Sequence, residues 1–138
     1  MTDIDGNYPY WIEEQIRNTD TDQFGHVNNT AIAAYCEAGR MGIFADASTT
    51  SIGSDFSVVV ARLLIEFKQE LFYPGRVRVG TRVVSMANSS FTLTQSIFGP
   101  DGIAATSEAV CVLLSRQTRR PTRLPDKLRN AWQVVGSR

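Results

Sequence analysis

Apolar residues recur along this chain of 138 residues with two different periods. From Tyr10 to Asn18 the pattern predicts a first strand, with Trp11, Glu13, Gln15 and Arg17 alternating against Ile12 and Ile16. A stretch rich in Asp, Gly and Asn, from Asn18 to Asn29, breaks it. From about Asn29 to Asp46 the period lengthens: Ile32, Tyr35, Cys36, Gly39 and Ile43 fall on one helical face, with Asn28 or Asn29 as its cap. Ala31, Ala33, Ala34, Ala38, Gly39 and Gly42 make this helix slim. Each glycine costs about 1 kcal/mol of helix stability, which makes sense where the backbone must lie close on a sheet. Ser, Thr and Gly in Ala47 to Asp55 predict a loop.

Beyond the loop the period is two. Phe56 to Phe72 reads as a long β segment that includes Val58-Val59-Val60 and Leu63-Leu64-Ile65. Tyr73-Pro74-Gly75 is a turn. Arg76 to Met86 sets Arg76, Arg78 and Arg82 against Val77, Val79 and Val83. Asn88-Ser89-Ser90 turns the chain into a strand from Phe91 to Phe98, and Gly99-Pro100-Asp101-Gly102 turns it again. Ile103 to Leu114 then lines Ala105, Ser107, Ala109 and Cys111 along one side, a face on which a helix nests. Asp126 to Val134 predicts a short terminal helix after Pro121 and Pro125. One helix followed by four strands joined by short turns argues an α+β domain with antiparallel pairing. A sheet curled around a central helix satisfies these features, and its open face and edge call for self-association.

The length suits one domain spanning residues 1–138. Hydrophobic content of 43% and charged content of 20% are both normal for a soluble globular protein. Fourteen basic residues balance fourteen acidic ones, so no global field draws nucleic acid or anionic membrane, and neither partner is expected. Residues Met1 to Tyr10 are polar and acidic without an apolar signal core, and no run reaches membrane-spanning length; a cytoplasmic location fits best. Arg116, Arg119, Arg120, Arg123, Lys127 and Arg129 crowd the C-terminal segment, as a solvated tail or as a site for a phosphorylated ligand. Cys36 and Cys111 lie in a predicted helix and strand and are expected to be buried thiols. With one histidine and two distant cysteines, no zinc site is expected.

The chemistry concentrates in Asp20-Thr21-Asp22-Gln23-Phe24-Gly25-His26-Val27-Asn28-Asn29, which joins carboxylates, the sole histidine and a helix start. A helix N-terminus exposes unpaired N–H groups and partial positive charge. Asp22 lies just upstream, where such donors polarise a carbonyl that its carboxylate attacks or hydrates. Asp, Asn and Gly are equally ordinary turn and cap residues.

These residues, with Arg17, Tyr35, Glu37 and Arg40, resemble the hotdog-fold acyl-CoA thioesterases of the 4-hydroxybenzoyl-CoA thioesterase type. Phe67 before the Pro-Gly turn, Ser89-Ser90-Phe91, Asp101-Gly102 and Arg120-Pro121-Thr122-Arg123-Leu124-Pro125 carry the resemblance over residues 10 to 132. It implies a hotdog fold, an antiparallel sheet wrapped around a long helix, paired into homodimers or homotetramers. It further implies hydrolysis of an acyl-CoA or acyl-carrier thioester with no cofactor beyond the coenzyme A of the substrate.

Residue by residue, the resemblance makes Asp22 the catalytic carboxylate, either as nucleophile forming an acyl-enzyme anhydride or as general base on water. The backbone N–H near Asn29 polarises the thioester oxygen. Asp20 is a structural partner of the loop. His26 is a general acid for the thiolate or a strut that locks the turn, and the side chains of Asn28 and Asn29 are caps first. Glu37 pairs with Arg40 along the helix or orders the attacking water. Arg62, Ser89, Ser90, Arg119 and Arg120 are the candidates for coenzyme A, against a reading of plain surface charge. Ser115-Arg116 depart from the pattern, standing where many relatives end the last strand with an acidic residue. Two other readings remain open: a hotdog 3-hydroxyacyl thioester dehydratase, and a non-catalytic acyl-CoA or acyl-carrier binding module. A serine hydrolase is disfavoured, since no Gly-x-Ser-x-Gly run is present.

Overall fold

The computed structural model describes residues 8–44 and 54–132. Five strands and one long helix form its frame: β1 (Tyr10–Ile16), α1 (Asn29–Gly42), β2 (Phe56–Phe67), β3 (Gly75–Met86), β4 (Ser90–Gly99), β5 (Gly102–Ser115) and a terminal α2 (Asp126–Ala131). The strands pair antiparallel in the order β1-β3-β4-β5-β2, and α1 lies on the inner face against β1, β3 and β4. This is the hotdog fold.

Register explains which side chains face the helix. Val79, Ile97 and Ala105 stand opposite one another across three strands, as do Thr81, Gln95 and Ser107, then Val83, Leu93 and Ala109. All nine are buried. The small residues of β5 leave room for α1, and Gln95 ties helix to sheet by donating to Cys36 O at 2.8 Å and to Thr81 Oγ1 at 3.0 Å. Gly39 meets this point directly. A Cβ there would stand 2.6 Å from both Gln95 Nε2 and Val79 Cγ1, so the expected close approach of helix and sheet is present.

Several boundaries differ from expectation. β1 ends at Ile16 because Asn18–Asp20 turn into a 3₁₀ segment held to Arg17. β2 stops at Phe67 rather than Phe72, since Lys68 and Gln69 both donate to Ala104 O at 2.8 and 3.1 Å and leave the ladder. The described helix ends at Gly42, where Ile43 N–H donates to Arg40 O; the predicted extension to Asp46, most of the Ala47–Asp55 loop, the first residues of Met1–Tyr10 and Val134 lie outside the described residues.

β2 contains a bulge between Val60 and Arg62. It keeps Phe56, Val58 and Val60 on the same inner face as Leu63, Ile65 and Phe67, opposite Ser115, Leu113, Cys111, Ala109, Ser107 and Ala105. The helix does not cover all of that strip, and Val60, Leu63 and Phe67 remain exposed.

Gly39→Ala is expected to destabilise by about 1–3 kcal/mol through overpacking, although alanine favours an isolated helix by about 1 kcal/mol. Urea unfolding measures the sign; a raised midpoint would show that helix and sheet are not in contact at Gly39.

Candidate active site

The segment from Asp20 to Asn28 is a compact turn built around its own backbone. Asp22 N–H donates to His26 O at 2.9 Å, and Gly25 N–H donates to Asp22 O at 3.1 Å. Gly25 has φ +92°, a conformation that side chains with a Cβ resist. Val27 N–H donates to Leu71 O at 2.8 Å, docking the turn on the segment after β2. Asn28 caps α1: its Oδ1 accepts from Ala31 N–H at 2.8 Å and from Thr30 Oγ1 at 2.6 Å. The N–H groups of Asn29 and Thr30 have no acceptor among the described residues, so two first-turn donors stay open.

Asp20 is structural, as expected. Its carboxylate accepts from Arg17 N–H at 2.9 Å, Arg17 Nη2 at 3.2 Å and Tyr35 Oη at 2.7 Å, and its carbonyl accepts from Asn28 N–H at 2.9 Å. Burial alone would raise its pKa, but the bonds from Arg17 and Tyr35 outweigh that and hold it below the ordinary carboxylate value. Burial, then the Asp20 carboxylate, pushes the Tyr35 phenol upward, so Tyr35 acts as a donor.

Asp22 behaves differently. Its side chain is 33% exposed. Oδ1 is fixed by Phe24 N–H at 2.8 Å, while Oδ2 stands 3.5 Å from His26 Nδ1. On the other side of the imidazole, Nε2 lies 3.5 Å from Glu70 Oε2. His26 is therefore flanked by two carboxylates, with Phe24 stacked on its ring and Phe72 edge-on. It lines a cavity of about 280 Å³ with Asn29, Ile32, Phe67, Glu70 and Leu71. Asp22 is not in the wall of this cavity but stands at its His26 side, with Oδ2 3.5 Å from Nδ1. A larger cavity, about 320 Å³, opens on the outer face beside Tyr8, Arg82, Ser96 and Glu108. Two polar contacts are already made in its wall: Tyr8 Oη with Ser96 Oγ at 2.6 Å and Arg82 Nε with Thr94 Oγ1 at 3.1 Å.

The remaining sequence candidates separate. Glu37 is exposed and makes no ion pair with Arg40, which is buried instead, so the expected intrahelical pair is absent. Arg62 sits on the outer face and reaches Glu108 at 3.4 Å. Ser89 and Ser90 lie at the β3–β4 turn and Arg119 and Arg120 just beyond β5, at the end of the sheet opposite the Asp20–Asn28 turn. Arg129 donates to Ala87 O at 2.6 Å, and Arg123 reaches Asp126 at 3.3 Å, so part of the C-terminal basic cluster holds its own segment rather than a ligand. Cys36 and Cys111 are free and buried, and burial raises both thiols. Glu70 was missed by the sequence reading. Placing it inside a strand hid it, although the polar run Lys68-Gln69-Glu70 already interrupts the alternation.

A model of the thioesterase-like superfamily matches residues 16–132, and the chain belongs to that family. It is 32% identical over 127 residues to the chloroplastic acyl-acyl carrier protein thioesterase ATL2 of Arabidopsis thaliana, covering 86% of this chain and 65% of that protein. The chain thus spans just under two thirds of that curated relative. A thioesterase from Thermus thermophilus, solved with coenzyme A and zinc, is 28% identical with TM-score 0.80, over 91% of this chain and 92% of its own. The PA5185 protein of Pseudomonas aeruginosa shares the fold at 24% identity and TM-score 0.84, over 96% of both chains. The hydrolase expectation agrees with this family. The narrower 4-hydroxybenzoyl-CoA assignment does not follow from it.

Asp20 predicts a pH effect. A carboxylate whose folded pKa lies below its unfolded one adds stability above the unfolded value, and that stability is lost as pH falls through the folded value. Melting temperature is expected to drop on acidification below about pH 4, and Asp20→Asn, less stable at neutral pH, is expected to show a shallower acid limb. An identical acid limb in the variant would remove Asp20 from the account.

Proposed function

We propose that the chain hydrolyses acyl thioesters, of coenzyme A or an acyl carrier, to free acid and thiol. The observation that carries this reading is the Asp22–His26 pair held in one rigid turn beside two open N–H donors at the start of α1. The thioester oxygen accepts from Asn29 N–H, a donor worth about 2.7–4 kcal/mol of transition-state stabilisation where such groups have been removed. Asp22 Oδ2, free of backbone bonds, is the oxygen that attacks the carbonyl or takes a proton from water. His26 faces the cavity and is placed to protonate the departing thiolate. Glu37 lies eight residues beyond Asn29, about 12 Å along the helix, and does not reach a carbonyl held there by its own chain.

The working unit is a homodimer, alone or within a tetramer, in the cytoplasm. β2 is an edge strand with exposed apolar groups on both faces: Val60, Leu63 and Phe67 inward, Val59 and Leu64 outward. Such an edge needs a partner. Antiparallel pairing of two β2 strands about a two-fold axis sets the Phe56 end of one protomer beside the Phe67 end of the other. That brings the Ser89, Ser90, Arg119 and Arg120 end of the partner toward the turn, which one chain by itself cannot do. Arg62, already matched to Glu108, is left out of this coenzyme A set. Among the described residues no helix is long and apolar enough to cross a membrane.

The test is thiol release across short, long and aromatic acyl-CoAs, with an acyl-carrier thioester beside them. Asp22→Asn is expected to lower kcat on the order of 10³-fold. Equal rates for both proteins would remove Asp22 from the mechanism. No release from any donor would favour a binding module, and dehydration of a 3-hydroxyacyl thioester would favour the dehydratase. Replacing Val60 and Leu63 together by Asp is expected to yield monomers by light scattering; an unchanged assembly would displace β2 from the interface.

A further inference from the structure

We infer that Arg40 binds a carboxylate at the far end of the acyl group, so that thioesters of ω-carboxylated acids are the preferred substrates; this rests on the thioesterase reading above. Arg40 lies in the last turn of α1 and is 9% exposed. Its Nη1 is buried and has no hydrogen-bond partner among the described residues. A guanidinium stays charged at any working pH and offers only donors. Arg40 lines a cavity of about 80 Å³ among Phe44, Val58, Val60, Phe91 and Leu93. Glu37, at its rim, is the other charged side chain of that lining; it is exposed and makes no ion pair with Arg40. Cys111, also in the wall, is a protonated thiol because burial raises it, and so supplies no counter-charge.

Among the described residues this charge has apolar neighbours and no counter-ion, an arrangement that is costly, since nearly all buried polar groups in folded proteins are partnered. The unmet demand is for an anion. A water needs about 10–15 Å³, so the cavity has room for a carboxylate. A carboxylate also matches the fork of the guanidinium, whereas a methyl end would satisfy the walls and leave Nη1 unpaired.

The route to it is the uncovered inner strip of β2. Phe67 lines the Asn29 cavity, Val58 and Val60 line the Arg40 cavity, and Leu63 is exposed between them. Asn29 and Arg40 are eleven residues apart, about 16 Å along the helix axis. Arg40 therefore meets the remote end of an acyl chain and not its thioester.

The experiment compares kcat/KM for ω-carboxyacyl-CoAs and methyl-ended acyl-CoAs of equal length. The wild-type protein is expected to favour the carboxylated member about tenfold or more once the chain spans the helix, the kind of discrimination a site built for a polar group achieves. Arg40→Met is expected to bring that ratio near one, chiefly through KM, and to melt no lower than wild type, because an unpaired buried charge is replaced by an apolar side chain. Arg40→Lys is expected to keep part of the preference. Equal kcat/KM for the two series in the wild type, or a ratio unchanged in Arg40→Met, overturns the assignment; the wild-type comparison decides even if the variant does not fold. Failure to hydrolyse every thioester overturns the thioesterase reading instead. In that event calorimetry decides on Arg40: tighter binding of the carboxylated thioester supports it, and equal affinities remove it.

Discussion

Asp20 is where the ends of the site's three supports are fastened to one another. Its carboxylate takes the Arg17 backbone at the close of β1 and the Tyr35 hydroxyl from the middle of α1, while its carbonyl takes the N–H of the helix cap Asn28. Shielding an ionised group from water costs hydration, and hydrogen bonds to a charged acceptor return about 1.5–3 kcal/mol each. With three donors on the carboxylate the exchange favours the charged, bonded form, in keeping with its lowered pKa. The turn between Asp20 and Asn28 is then a loop pinned at both ends. Asp22 and His26 owe their relative position to it.

The same geometry explains why two aspartates two residues apart have different fates. Asp20 spends its oxygens on structure and is buried. Asp22 spends only Oδ1, on Phe24 N–H, and keeps Oδ2 beside the imidazole. On the proposed reading that oxygen and the open N–H donors of the helix start act on the same carbonyl, because the donors favour negative charge developing on its oxygen. Glu70 adds a second acid on the far side of His26, brought there because β2 ends early and its following residues bridge to the turn.

Much of this was legible in the chain. Two periods of apolar residues gave the helix and the five strands, and the small residues Gly39, Ala105, Ala109 and Cys111 gave the close helix–sheet contact. Asn28 as cap followed from residue type. The failures share a cause: periodicity says which face a residue takes but not what it meets there. Nothing in the spacing of Glu37 and Arg40 showed that Arg40 turns into the interior while Glu37 stays outside. The register sets Arg62, read as a phosphate candidate, near Glu108 across the sheet, a neighbour that spacing along the chain did not show. The bulge at Val60/Arg62 is likewise invisible in a run apolar on both sides, yet it decides which valines line the groove.

The position of α1 links these details to substrate choice. Gly39 and Gln95 draw the helix down onto β3 and β4, so it cannot also cover β2 at the sheet edge. What remains uncovered is a strip of Phe67, Leu63 and Val60 that runs alongside the helix from its open N–H donors to its buried arginine. A helix centred on the sheet would have closed the strip and buried more apolar surface. The off-centre packing gives up that burial and leaves an apolar track with hydrogen-bond donors at both ends: the open N–H groups at the start of α1 and the Arg40 guanidinium. On the reading proposed above, an acyl group with a carboxylate terminus meets both at once, and the length of the helix between the two residues is then the ruler for its chain.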